Sequence, residues 1–127
     1  MEQNDFIVKA EINVKLTQQD IDDIMVAALE GGITYWCFKA EVVGEYLGEY
    51  ASEQVSRGGM LKLYDMESGE KYWLDLKGFL KGFKLWLEND GDQYGAVQGS
   101  EVDCCNIDAE CADAIIQYAI FGELVYG

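Results

Sequence analysis

The sequence predicts a single α+β domain, with a mainly antiparallel sheet and about three helices, spanning residues 1–127. Two observations carry most of this reading. Three stretches with apolar residues three and four positions apart open at Thr17, Asp75 and Asp108, each a residue suited to cap a helix. Between the first two lies MLKLYD–MESGEK–YWLDL, in which alternating apolar and polar residues flank a turn around Gly69, the pattern of a β-hairpin. A third observation sets the domain count: no linker interrupts the 127 residues, and the apolar half of them is enough to fill one core.

In chain order, Val8, Ala10, Ile12 and Val14 alternate with polar residues as in a half-buried strand. Thr17 with Asp20 forms a capping box, and Ile21, Ile24, Met25, Ala28 and Leu29 make the apolar face of the first helix, which Gly31 and Gly32 end. Ile33 to Phe38 is β-branched and aromatic and reads as a strand buried on both faces. Lys39 to Arg57 is ambiguous, because GEYLGEY repeats at helical spacing while Gly44 and Gly48 would each cost a helix about 1 kcal/mol. After the hairpin, Asp75 caps a helix with Leu76, Phe79, Leu80, Phe83 and Leu87 on one face. Gly78 and Gly82 on that stripe allow either close packing of another backbone or an opening for a ligand. Asp108 caps the last helix, with Ala112, Ile115, Ile116, Ala119 and Ile120 inward, and Gly122 stops it before a short return strand at Leu124 to Tyr126.

Composition excludes more than it identifies. Twenty-four carboxylates against eight lysines and one arginine give a net charge of −15, which repels phosphate backbones, so direct nucleic-acid binding is not expected. There is no histidine, which removes Ser-His-Asp and Cys-His catalysis, and nothing marks a catalytic pair among the carboxylates, so the chain is not read as an enzyme and no cofactor is expected. No membrane span and no signal-peptide pattern occur, and Cys37, Cys104, Cys105 and Cys111 lack disulfide or zinc spacing, so a cytoplasmic location is expected.

Three groups of residues are candidates for binding. Asp90, Asp92, Gly95 and Glu101 occupy positions 1, 3, 6 and 12 of a calcium-binding loop, but Tyr94 at position 5 is no carboxylate ligand; a solvated loop is the competing reading. Arg57, the sole arginine, adjoins Gly58 and Gly59, whose N–H groups would form an anion nest; against this, Arg57 pairs with Glu53 or another acid in an ordinary turn. The aromatics, Phe83 among them, serve either to stack a nucleobase or to fill the core.

The stretch ITYWCFKAEVVGEYLGEYASEQVSRGGMLKLYD, with NIDAECADAIIQYAIFGELVYG at the end, resembles small phage and prophage counter-defence proteins. The nearest characterised type is the Thoeris anti-defence family, which sequesters a cyclic ADP-ribose-type nucleotide signal without cleaving it. The resemblance implies that Arg57, Gly58 and Gly59 hold the pyrophosphate, Phe83 stacks on the base, and Gln93 and Asp108 take hydroxyls and base edges. It also implies a homo-oligomer, since a site shared between copies would supply a second arginine. The alternative is an acidic inhibitor of the anti-CRISPR kind, which occupies the basic nucleic-acid groove of a host defence protein and uses the net charge for attraction.

Overall fold

The computed structural model describes residues 14–89, 97–98, 101–102 and 107–127. Helix α1, Gln18–Ala27, opens with the expected capping box: the Asp20 N–H donates to the Thr17 hydroxyl at 3.0 Å, and the Thr17 N–H donates to the Asp20 carboxylate at 2.9 Å. It continues as one π-helical turn, Ala28–Gly32, that sets Gly32 against α3, the last helix, Ala109–Phe121. A Cβ on Gly32 would lie 2.5 Å from the Ala109 carbonyl oxygen, so this approach needs glycine.

The expected strand at Ile33 to Phe38 is displaced. Ile33 to Trp36 form a turn in which the Trp36 and Cys37 N–H groups both donate to the Ile33 carbonyl, and strand β1 is Cys37–Val43. Trp36 is buried, but the expectation of burial on both faces fails at Tyr35 and Phe38, which are exposed. A bulge between Cys37 and Lys39 turns the Phe38 side chain outward. The ambiguous stretch is therefore strand to Val43, then an irregular loop that starts at Gly44 with φ 80° and includes a 3₁₀ turn, Ala51–Glu53.

Strand β2, Met60–Asp65, is central in the order β1-β2-β3, with β3 at Lys71–Leu74. Both pairings are antiparallel, with Val42 opposite Leu61, Leu61 opposite Leu74 and Lys62 opposite Trp73. In the hairpin turn the Asp65 carboxylate accepts from the Glu67 and Ser68 N–H groups. Leu61, Leu63 and Leu74 point into the core from one face, where they join Ile24 and Met25 of α1, Phe79, Phe83 and Trp86 of α2 (Leu76–Asn89), and Ile115 and Ile116 of α3. Burying each such side chain contributes about 1.5–3 kcal/mol.

Asp75 caps α2 by accepting from the Gly78 N–H at 2.7 Å, and Asp108 caps α3 by accepting from the Cys111 N–H at 2.9 Å. The buried stripe of α2 is Phe79, Gly82, Phe83 and Trp86, narrower than the sequence suggests, because Leu80 is exposed. Gly82 packs directly on the Ala119 backbone of α3, so the glycine stripe serves close packing there. Gly122 ends α3 with φ 76°, as expected. Leu124 to Tyr126 form no strand, since a side chain takes their hydrogen bonds, as described below. Val97–Gln98 (β4) and Glu101–Val102 (β5) pair as a separate two-stranded ladder. Of the strand expected at Val8 to Val14, all but Val14, which is in no strand, lies outside the described residues, and among those described no helix is long and apolar enough to cross a membrane.

Candidate functional site

Arg57 follows the 3₁₀ turn and is held by carboxylates from two elements. Its Nη1 lies 3.4 Å from Asp22 Oδ2 on α1 and its Nη2 lies 3.5 Å from Glu53 Oε2; Nη1 also donates to the Glu53 carbonyl at 3.2 Å. The Ser56 hydroxyl donates to the other Asp22 oxygen. Hydrogen bonds from the Tyr50 and Glu49 N–H groups, with the Arg57 charge as a smaller cause, hold the Glu53 carboxyl below its ordinary range.

The expected anion nest is not open. The Gly58 N–H donates to the Val55 carbonyl at 3.0 Å and the Gly59 N–H to the Gln54 carbonyl at 2.9 Å, so both donors are engaged within the turn. A phosphate would have to displace Asp22 and Glu53 from Arg57. The other expected ligand residues stand elsewhere: the Phe83 ring is 3% exposed and packs against Trp86, leaving no face for a base, and Asp108 caps α3. Gln93, Asp90 and Asp92 lie outside the described residues, and Glu101 is placed in β5 by its backbone alone. Among the described residues no cluster of three metal-ligating side chains occurs; Cys37 and Cys111 are buried free thiols, while Cys104 and Cys105 lie outside the described residues.

The contact that engages Arg57 joins α1 to the 44–57 loop and makes them one surface. Gln18 to Gly59, apart from β1, contains no cation but Arg57, and it carries Asp20, Asp23, Glu30, Glu45 and Glu49. Tyr46, Leu47 and Tyr50 project from the loop with 61%, 49% and 63% exposure. Exposed aromatics set among carboxylates combine two features of protein-binding surfaces: a ring that gains much from burial, and charge that steers a cationic partner.

A second constellation was not visible in the sequence. Asp113 on α3 accepts from Tyr35 (2.6 Å), Trp36 Nε1 (2.8 Å) and Gln117 Nε2 (2.9 Å). Gln117 in turn accepts from the Val125 and Tyr126 N–H groups, both at 2.8 Å, and its amide donates to the Tyr126 carbonyl, so one side chain replaces a neighbouring strand. Tyr126 stacks on Trp36 with centroids 5.4 Å apart and donates to Asp65 at 2.6 Å. The hydrogen bonds of Tyr35 and Trp36 to α3, and of Tyr126 to Asp65, join residues 61 to 82 apart, too distant for any local pattern to announce them. Beside this network a cavity of about 230 Å³ lies between Trp86, α3 and the 124–127 segment. Among the described residues Glu110 and Asp113 line it without a lysine or arginine, which does not suit a phosphate.

The network makes alkaline stability a test of the packing. Burial and the Asp113 hydrogen bond push Tyr35 up to about 12, and the hydrogen bond to Asp65, then burial, pushes Tyr126 up to about 12. Burial, then Asp108, pushes the Cys111 thiol up to about 12. In the fold these groups favour their neutral forms, whereas in the unfolded chain they ionise near their ordinary values of 10.0 and 9.0. The unfolded state therefore loses protons first, and stability is expected to fall progressively as pH rises from about 9 towards 12. Urea midpoints taken across that range check this; a flat profile would contradict the hydroxyl–carboxylate contacts of Tyr35 and Tyr126.

Comparison of the chain with protein-family models, with curated proteins and with solved structures yields no match.

Proposed function

We propose that this protein acts by binding rather than by catalysis, as an acidic counter-defence protein that covers a basic groove of a host defence protein. The observation that carries the reading is the surface of α1 and the 44–57 loop, where Tyr46, Leu47 and Tyr50 stand exposed among carboxylates and the one cation is internally paired. A guide-binding or target-binding groove is lined with lysine and arginine and carries hydrophobic walls, the complement of this surface. Net charge of −15 steers the encounter, and the rings supply contact area once the groove is dry.

The nucleotide-sequestering reading draws less support, because it requires Arg57 to leave two carboxylates and Phe83 to leave the core. The two readings separate in one experiment. Purified protein is titrated against a CRISPR effector carrying labelled target DNA, and in parallel against a cyclic ADP-ribose-type nucleotide. Displacement of the DNA is expected, weakening steeply with salt, with Tyr46→Ala plus Tyr50→Ala lowering affinity at least about tenfold while the melting temperature stays put. Nucleotide binding abolished by Arg57→Ala, with no displacement of DNA, would overturn the proposal in favour of sequestration.

A further inference from the structure

The solvent face of the sheet departs from the acidity of the rest of the chain. The alternation that buries Leu61, Leu63 and Leu74 turns Lys39, Glu41, Lys62, Tyr64, Lys71 and Trp73 to the other side. Three of the eight lysines thus meet on one face, although 23 and 9 residues separate them in the chain. Their Nζ atoms surround one ring: Lys39, Lys62 and Lys71 lie 5.3, 5.6 and 5.7 Å from the Tyr64 centroid. Lys62 also lies 5.7 Å from the centroid of Trp73, which is 55% exposed.

One carboxylate offsets this charge. Among the described residues Glu41 is the sole acid on the face; it pairs with Lys39 at 3.0 Å and accepts from the Tyr64 hydroxyl at 3.2 Å. Glu41, held below its ordinary range first by the Lys39 hydrogen bond, also feels the Lys62 charge across the strand pair, and Lys62 and Lys71 both stand over aromatic rings. Like charges crowded around one ring repel, and a ring quadrupole compensates only part of that repulsion. An anion placed over them would be stabilised by both.

We propose that the outer face of β1-β2-β3 binds a short single-stranded nucleic acid, with Lys62 and Lys71 on its phosphates and a base stacked on Trp73. The platform is about 10 Å across its three strands and presents rings and cations side by side, which matches an extended strand of alternating phosphates and bases. A duplex keeps its bases paired inside and cannot use Trp73. The net charge of −15 does not forbid this contact: at physiological salt the screening length is about 8 Å, and the acidic α1 helix lies on the core side of the sheet. The proposal is independent of the protein-binding reading, which uses a different surface.

The test is fluorescence anisotropy with labelled thymidine oligomers of about ten nucleotides, single-stranded and duplex, over a range of salt. Single strands are expected to bind more tightly than duplex, with affinity falling with salt at a log–log slope near −1.4, as for about two neutralised phosphates. Lys62→Gln with Lys71→Gln should reduce that slope by about 1.4. Trp73→Ala should weaken binding about tenfold and Trp73→Phe restore most of it, with all variants melting as the parent does. No binding at millimolar protein, equal affinity for duplex, or an unchanged slope in the lysine variant would overturn the proposal. So would a mononucleotide competing as strongly as the oligomer, which would mark a small-ligand site. Self-association that these substitutions abolish, without any oligomer binding, would overturn it too and make the face an interface between copies.

Discussion

Gly82→Ala is expected to destabilise the fold by about 1–2 kcal/mol, net of the ~1 kcal/mol that alanine gains over glycine within a helix. A Cβ at this position would lie 2.5 Å from Ala119 N and 2.6 Å from both Ala119 Cα and Ala119 Cβ. Two of those atoms are backbone, so relief requires α2 and α3 to separate by about 1 Å to reach ordinary contact near 3.5–4.0 Å. That separation loosens Phe79, Phe83 and Trp86 together, because all three are buried on the same stripe as Gly82. Gly78→Ala is the internal control: its Cβ would approach Asp75 Oδ1 at 3.2 Å and the Ala119 carbonyl at 4.0 Å, and its stability should stay within about 1 kcal/mol of the parent. Denaturant midpoints of the two variants decide the matter, and equal behaviour would refute the close approach at Gly82.

Asp113→Ala should cost about 3 kcal/mol or more, with the loss concentrated where Tyr35, Trp36 and the 124–126 segment meet. The substitution removes the acceptor of three donors at once, and the Trp36 indole N–H is buried with a residue exposure of 1%. A buried donor left without an acceptor costs about 1–3 kcal/mol, and Gln117 would lose one of the contacts that orient it towards Val125 and Tyr126. Asp113→Asn keeps one carbonyl oxygen for Trp36 and should be milder. Urea denaturation gives the size of the effect. Release of Tyr126 from its stack on Trp36 should appear as faster proteolysis after Tyr126 and as a shift in tryptophan emission. An Asp113→Ala variant as stable as the parent would mean that the network is not what holds the 124–126 segment.

The elements that were legible in the chain are those whose instructions are local. Thr17 and Asp20 reach one another's backbone across three residues, Asp75 and Asp108 do the same for α2 and α3, and Gly122 supplies the left-handed turn that ends α3. The β2–β3 hairpin was readable because alternation and a turn suffice to define it. Ile33 to Trp36 have the composition of a buried strand without forming one, because β-branched and aromatic composition describes burial, and burial here comes from Trp36 reaching Asp113 rather than from strand pairing. Leu80 has the right spacing but is exposed, while Gly82, where α2 meets the α3 backbone, is buried.

The candidate site was half visible. Glu53 stands one helical turn before Arg57, and that pairing was open to a reader of the chain; Asp22, 35 residues away, was not. Acidity, the lack of histidine, three capped helices and one hairpin follow from residue types and short spacings, which act over distances that the chain itself sets. Which charges stay free does not. The pairing of β1 with β2 and β2 with β3 gathers Lys39, Lys62 and Lys71 around Tyr64, and the packing of α1 on the 44–57 loop neutralises Arg57. Electrostatic energy depends on distance through space and on burial, and both are settled only when remote segments meet.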